Sequence, residues 1–287
     1  MADKPLVIGS RGSPLALKQA DLVKNRLLQA NPHLPIAVRR IVTTGDQRTG
    51  PPLHQIGGKG VFTKEIEEAL LGGKIDLAVH SLKDLPTELP DGLCLGAITP
   101  REDARDAFVS NRFGCLAELP PQSTVGTSSL RRQCQILHLR PDLQVKNLRG
   151  NLDTRLRKLD EGHYDAIILA CAGLLRLGLD HRIQERISVD TICPAIGQGA
   201  LAVEVRCNDG VTLDRIRELD DRDSRRAAEA ERSLLNCLGG GCQVPIAGFA
   251  VLNGVHLRLT GVVGAADGSR LIRDVGRSSL ELSLIHI

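Results

Sequence analysis

Short β-branched runs alternate along the chain with longer stretches of helical period, a pattern that predicts an α/β protein with largely parallel sheets. Residues 6–9 read as a strand, and Ser13-Pro14 supplies an N-cap and first-turn pair for a helix reaching about residue 30. A strand over 36–42 follows. Residues 61–71 have helical period and stop at Gly72-Gly73, 75–79 form a buried strand, and 93–98 close the first set. From about Pro100 the pattern restarts, with strands over 124–126, 143–145 and 165–170 and helices over 129–139 and 151–161. A strand over 200–205 lies beside an Ile-Gly-Gln-Gly turn, and one charged helix is expected over about 213–235. Beyond Gly239-Gly240-Gly241 the chain turns β-rich, over 244–252, 255–263 and 271–275, with Gly254 and Asp267-Gly268 as hairpin turns. A small third domain fits this tail, and neither a strong internal repeat nor a low-complexity linker stands out.

At 287 residues, two or three domains are expected over one. The formal charge of +3 and the 2% of aromatic residues argue against a nucleic-acid reader, which needs a basic field and stacking faces. No stretch approaches the ~20 apolar residues of a membrane span. The eight cysteines show no C-x-x-C or Cys/His ligand spacing, so neither a zinc ribbon nor a disulfide framework is suggested, and no metal site is expected. Reduced thiols, together with an N-terminus that lacks a leader pattern, give the expectation of a cytoplasmic protein. One imbalance changes the picture: 28 Arg stand against 9 Lys. Either a GC-rich genome favours arginine codons, or the chain uses the planar fork that grips carboxylates and phosphates.

Ligands of open α/β sheets bind beyond the carboxyl ends of strands, on the N-termini of the following helices. At those places the chain carries Ser10-Arg11-Gly12-Ser13, His80-Ser81-Leu82-Lys83-Asp84, Gly126-Thr127-Ser128-Ser129-Leu130-Arg131-Arg132, and Asn147-Leu148-Arg149-Gly150-Asn151 with Arg155 one turn on. Each joins free backbone N–H groups, hydroxyls and a cation, the equipment of an anion site. One such loop is usually a solvated turn; four with the same chemistry weaken that reading. Asp84 is a carboxylate in a cationic set, suited to stabilising positive charge or moving a proton, though from this residue alone an N-cap Asp in a surface turn is the better account. Cys242 lies in Leu238-Gly239-Gly240-Gly241-Cys242-Gln243, where glycines let the backbone approach a ligand and leave a thiol accessible, whereas most lone cysteines are buried and inert.

At these residues the chain resembles the porphobilinogen deaminase (hydroxymethylbilane synthase) family. The resemblance rests on Arg11-Gly12-Ser13-Pro14-Leu15-Ala16, Gly57-Gly58-Lys59-Gly60 with Phe62, Ala78 to Asp84, Gly126 to Gln133, Leu148 to Asn151 and the glycine loop at Cys242, six motifs in order over nearly the whole chain. It implies a cytoplasmic transferase of tetrapyrrole (porphyrin and haem) synthesis that condenses four porphobilinogen molecules head to tail with loss of ammonia and releases linear hydroxymethylbilane. It also implies a dipyrromethane cofactor held by a thioether to Cys242, one per chain, on which the product grows.

The resemblance assigns roles residue by residue. Asp84 is the catalytic carboxylate, stabilising the cation left when the aminomethyl nitrogen departs. Lys83, Thr127, Ser128, Ser129, Arg131, Arg132, Arg149, Gly150 and Arg155 bind the cofactor. Arg11, Ser13, Phe62, Arg149 and Arg155 bind substrate and the growing linear polypyrrole, whose rings each bear an acetate and a propionate. Phe62 covers a pyrrole ring on this reading, although core packing explains a single Phe equally well, and Gly57 to Gly60 form a lid. The architecture implied is α/β: two domains like those of periplasmic binding proteins around a cleft, 1–99 with 200–217 and 100–199, plus a small α+β domain over 218–287. A monomer is expected, binding neither nucleic acid nor membrane and passing its product to uroporphyrinogen-III synthase.

The family pattern continues into a helix over the third domain's sheet, whereas here Arg277-Ser278-Ser279 is followed by residues 280–287. The expectation is a truncated or misread terminus, which leaves an apolar sheet face prone to self-association. Two rivals stay open at this stage. A solute receptor shares the two-domain cleft and the anion-binding helix ends but needs neither Asp84 nor the cysteine loop. A Cys-dependent acyltransferase needs a His base near Cys242, for which His80 is the candidate.

Overall fold

The structure is a computed structural model that describes residues 4–47, 62–239 and 244–279. The chain divides into two compact units, Met1–Arg101 with Ala200–Arg226 and Glu102–Gly199 with Ala227–Ile287.

The first unit contains β1 (Leu6–Arg11), α1 (Pro14–Ala30), β2 (Ile36–Ile41), α2 (Thr44–Gln47), α3 (Lys64–Leu71), β3 (Leu77–Ser81), β4 (Leu93–Ile98), β10 (Leu201–Arg206) and α7 (Gly210–Ile216). Its sheet runs β2-β1-β3-β10-β4, with β1 parallel to β2 and β3 and with β10 antiparallel to both neighbours. Ser13 caps α1 as its sequence predicts, its Oγ accepting the Ala16 N–H at 3.3 Å, with Pro14 in the first turn. The buried face of α1 (Ala20, Val23, Leu27) packs with Leu6, Ile8, Leu77, Val79, Val203 and Val205. On the other face, Ile66, Ala69 and Leu70 of α3 pack with Ile75, Ala78 and Leu93. Helix α3 stops where the glycines predict, Gly72 N–H closing on Glu68 O at 2.9 Å and Gly73 taking φ +64°.

The second unit contains β5 (Asp106–Val109), β6 (Thr124–Gly126), α4 (Leu130–Leu139), β7 (Gln144–Lys146), α5 (Leu152–Asp160), β8 (Ala166–Ala170), α6 (Cys171–Arg176) and β9 (Glu185–Ile187). Its sheet runs β7-β6-β8-β5-β9, with β6 parallel to β7 and β8 and with β5 antiparallel to β8 and β9. The two sheets share one plan: three parallel strands, then one reversed strand brought in from a distant part of the chain. In each sheet the fifth strand runs with the first three, so four of five strands point the same way, as the pattern predicts, and one is reversed; the fold carries a repeat that the residue pattern does not display. A separate antiparallel sheet of β11 (Ile246–Asn253), β12 (His256–Gly264) and β13 (Leu271–Ser279) belongs to the second unit. Gly254 at φ +59° turns the first of its hairpins, between the paired Asn253 and His256.

The charged helix expected over about 213–235 is two helices, α7 and α8 (Arg222–Cys237), parted by a 3₁₀ turn at Arg217–Leu219 and by Asp220-Asp221. Asp220 leaves the helical region (φ −79°, ψ 116°) and accepts Ile98 N–H at 2.7 Å and Arg225 Nε at 2.9 Å, while Asp221 accepts Ser224 N–H at 2.8 Å and caps α8. A carboxylate that bonds the backbone locally outcompetes helix continuation.

Two of the arginines show a structural use that is not ligand binding. Arg140 donates to the Leu116, Ala117 and Leu119 carbonyls, and Arg206 donates to those of Leu70 and Ile75. The fork ties off loop carbonyls that a single ammonium would satisfy less completely.

Candidate functional site

In the first unit the predicted residues gather at the carboxyl ends of β1 and β3. Arg11 closes β1, and its guanidinium lies 4.1 Å from the centroid of the Phe62 ring. Phe62 thus stacks on a predicted site arginine and is not wholly buried in a core. After β3 the chain makes a single 3₁₀ turn, Leu82–Asp84, closed by the Leu85 N–H on Leu82 O at 3.2 Å. Leu82 N–H is tied to Ala200 O at 3.0 Å, and Ser81 Oγ lies 2.9 Å from Gln19 Nε2. The turn presents Asp84 to solvent with Lys83 half-buried beside it.

His80 points away from that turn. Its Nε2 lies 2.9 Å from Glu204 Oε2, and both residues are buried. Burial pushes the carboxyl of neighbouring Glu67 up, and the charge of Glu204 adds to the push. His80, the base candidate of the acyltransferase reading, is thus buried and bonded to a buried carboxylate.

In the second unit the residues gather after β6 and β7, at the N-termini of α4 and α5. Ser129 caps α4, accepting Arg132 N–H at 3.4 Å, and Thr127 Oγ1 accepts Ser129 N–H at 3.2 Å. Ser128 Oγ accepts Leu148 N–H at 3.1 Å and also lies against the Asn147 side chain and the Leu148 carbonyl, so it stitches the two loops together. Asn151 caps α5, accepting Thr154 N–H at 2.9 Å. Gly150 sits at φ +117°, and a Cβ there would come within 2.7 Å of Thr154 Cβ, so only glycine leaves this helix start undisturbed. Arg155 Nε donates to Gly150 O at 2.8 Å, and Lys158 Nζ donates to Arg149 O at 3.2 Å, which fixes the backbone around Arg149. Arg149 and Arg155 are themselves half-buried.

Arg131 and Arg132 differ from the rest, being only 5% and 6% exposed and both bound to Asp106, which is wholly buried. Arg131 Nη1 donates to Asp106 Oδ2 at 2.8 Å and Arg132 Nη2 to Asp106 Oδ1 at 2.7 Å. Burial would raise the Asp106 carboxyl, but the two guanidiniums overcome it and hold the group far below the usual carboxylate range. Two cations facing one anion leave a surplus positive charge, and Arg131 Nε and Arg132 Nε have no hydrogen-bond partner among the described residues. Unpaired buried donors beside surplus charge suit a ligand that carries carboxylates, as each pyrrole of a dipyrromethane does.

The structure thus brings together Thr127, Ser128, Ser129, Arg131, Arg132, Arg149, Gly150 and Arg155 within one unit, and Arg11, Ser13, Phe62, Lys83 and Asp84 within the other. Cys242 and Gly57 to Gly60 lie outside the described residues. Asp106, Gln198 and Glu231 were not singled out in the sequence. A charged residue opening the short apolar strand Asp106–Val109 was the one available signal for the first of them.

A family model described as "Porphobilinogen deaminase, dipyromethane cofactor binding domain" matches residues 6–214, and one for the "Porphobilinogen deaminase, C-terminal domain" matches 226–282. A porphobilinogen deaminase of Pelobacter propionicus is 52% identical over 274 residues, covering 96% of this chain and 88% of the relative. Among solved structures, a putative methionine-binding lipoprotein of Bacillus subtilis aligns at 12% identity with a TM-score of 0.46, covering 79% of this chain and 94% of that one. An ABC transporter periplasmic substrate-binding protein of Coxiella burnetii aligns at 13% identity with a TM-score of 0.48, covering 79% and 96%. Among the described residues no helix is long and apolar enough to cross a membrane. With both family models matched in order and half of its residues shared with a curated relative, this chain belongs to the porphobilinogen deaminase family.

Proposed function

We propose that the second-unit cluster holds the carboxylates of the family's dipyrromethane cofactor and that the first-unit cluster carries the chemistry on porphobilinogen. The observation that supports this reading most is the buried Arg131–Asp106–Arg132 set, with its surplus charge and unpaired Nε donors. Lys83, Thr127, Ser128, Ser129 and Gly150 complete the cofactor's surroundings through their side chains and backbone amides. Arg149 and Arg155, at the start of α5, meet the carboxylates of cofactor and growing chain alike. Arg11, Ser13 and Phe62 receive the incoming substrate, Arg11 gripping a carboxylate while the aromatic ring backs it. When bound through Cys242, the dipyrromethane supplies the electron-rich pyrrole carbon that attacks the activated substrate.

Asp84 does its work electrostatically. Its carboxylate accepts the pyrrole N–H of the substrate and stabilises the positive charge that grows as the carbon–nitrogen bond breaks and ammonia leaves. The same carboxylate takes up the proton lost from the attacking pyrrole carbon on this reading. The enzyme acts as a cytoplasmic monomer in which 1–99 with 200–217, 100–199 and 218–287 form three domains, a division that the three separate sheets support. Its linear product is handed to uroporphyrinogen-III synthase.

Intact-mass spectra before and after adding porphobilinogen test the reading. A resting mass above that of the chain by two pyrroles, followed by stepwise gains of one pyrrole, is expected; a resting mass equal to the bare chain refutes it. Arg149→Lys is expected to lower the loaded fraction or slow elongation by about tenfold, because one ammonium cannot reproduce a two-pronged carboxylate contact. Single-turnover kinetics of the loaded protein read this directly, and kinetics and loading equal to those of the wild type would remove Arg149 from the site.

A further inference from the structure

Two buried carboxylates outside the assigned residues meet a single segment of the second unit, residues 193–199. Asp106 receives Gln198 Nε2 at 2.9 Å in addition to the two guanidiniums. The next residue back, Gly197, donates its N–H to Glu231 Oε2 at 2.7 Å, and the other oxygen of Glu231 takes the Ala250 N–H of β11 at 2.7 Å. Gly248 of β11 donates to Pro194 O at 3.1 Å. Gln135 of α4 closes the set: its Oε1 accepts Cys193 N–H at 2.8 Å, and its Nε2 donates at 3.1 Å to Cys193 O, the carbonyl that also receives Arg131 Nη1 at 2.6 Å. The segment is therefore bonded on one side to the arginine pair and on the other to α8 and β11.

We propose that Asp106 and Glu231 are positioning residues for the cofactor, an inference that rests on Arg131 and Arg132 holding it. Asp106 gives one oxygen to each arginine, so the plane of a single carboxylate sets the angle between the two guanidiniums. It cancels one of the two positive charges and leaves the other to attract an anion; a second carboxylate would abolish that attraction, and an apolar residue would leave two buried like charges facing each other. Glu231 bonds two backbone N–H groups from separate segments and so fixes the arginine-bearing side in register with α8 and β11, the elements that flank Cys242 in the sequence. Two arginines free on a surface would have to lose rotamer freedom on meeting a ligand, whereas here that order exists beforehand.

The test uses the full chain as purified, with Asp106→Asn, Asp106→Glu and Glu231→Gln each followed by circular dichroism, thermal melting and intact mass. At a temperature where melting shows each variant folded, Asp106→Asn is expected to carry the two-pyrrole increment on about tenfold fewer molecules, the order of loss when a group that orients a ligand-holding residue is removed. Glu231→Gln, which keeps the shape but removes the charge that both N–H groups face, shows a smaller loss in the same direction. Asp106→Glu keeps the charge but displaces it by a methylene; it melts closer to the wild type than Asp106→Asn does and does not recover loading. Folded Asp106→Asn and Glu231→Gln loaded as fully as wild type would overturn the proposal, as would loading that merely follows the folded fraction. If Asp106→Asn does not fold, Glu231→Gln decides alone by the same criterion. A wild-type chain without the increment overturns both this inference and the cofactor reading beneath it, and is told apart by occurring in the unmutated protein.

Discussion

Asp84→Asn is expected to leave fold and cofactor loading intact while lowering kcat by about a hundred- to a thousandfold, the loss typical when one preorganised electrostatic partner of a transition state is removed. Fold is retained because the Leu82–Asp84 turn is built from backbone bonds, Leu82 N–H on Ala200 O and Leu85 N–H on Leu82 O, and the Asp84 side chain is exposed. Asparagine keeps the size and an accepting oxygen, so substrate still docks; it lacks the negative charge that matters only as the substrate becomes cationic. An interaction made in the transition state alone lowers kcat and kcat/KM together and leaves KM nearly unchanged. Porphobilinogen consumption by the mass-verified loaded variant measures this. Turnover within a few-fold of wild type would exclude Asp84 from the chemistry, and a raised KM at unchanged kcat would make it a binding residue.

Most of the scaffold of each unit was legible in the sequence, because its signals are local. Ser13-Pro14, Ser129 and Asn151 each sit where a capping side chain must sit, and all three cap helices. Gly72-Gly73 and Gly254 end a helix and turn a hairpin for reasons carried by single residues. Long-range pairing left weaker traces. β5 is four residues long and opens on a charge, and it is a strand because it lies between β8 and β9, far away in sequence. The break at Asp220-Asp221 depends on Ile98 and Arg225 as partners, so the charged run around it looks like one helix until those contacts exist.

The candidate site divides along the same line. Resemblance of motifs located the strand-end loops, but what each side chain does there depends on neighbours that no local pattern names. Arg131 and Arg132 read as two equivalent ligand cations beside Arg149 and Arg155; only the fold shows that the first two are bonded to a carboxylate 25 and 26 residues away. Ser128 read as a donor to a ligand and is found bridging two loops. The arginine excess divides likewise. Some guanidiniums crown the predicted site, while Arg140 and Arg206 hold loop carbonyls, a structural use that composition alone cannot tell from codon preference.

Cys242→Ser is expected to abolish both the two-pyrrole mass increment and turnover. Forming the thioether needs a thiolate, which a cysteine of ordinary pKa supplies as a few per cent of molecules at neutral pH, whereas a serine alkoxide is present at negligible concentration. Three of the other thiols are poor substitutes. Burial pushes the Cys171 and Cys193 thiols up to about 12, and burial together with the neighbouring Cys207 pushes Cys94 up to about 11, so none of these three ionises at neutral pH. Cys207 and Cys237 are exposed, which makes Cys237→Ser the informative control because that residue closes α8 just before the glycine loop. It should retain the increment and turn over normally. Because serine differs from cysteine by one atom, Cys242→Ser should fold, and its circular dichroism should match that of wild-type protein from which the cofactor is absent. An increment that survives in Cys242→Ser and disappears in Cys237→Ser would move the attachment point to the end of α8, and one that survives in both would show that the pyrroles are held on neither residue.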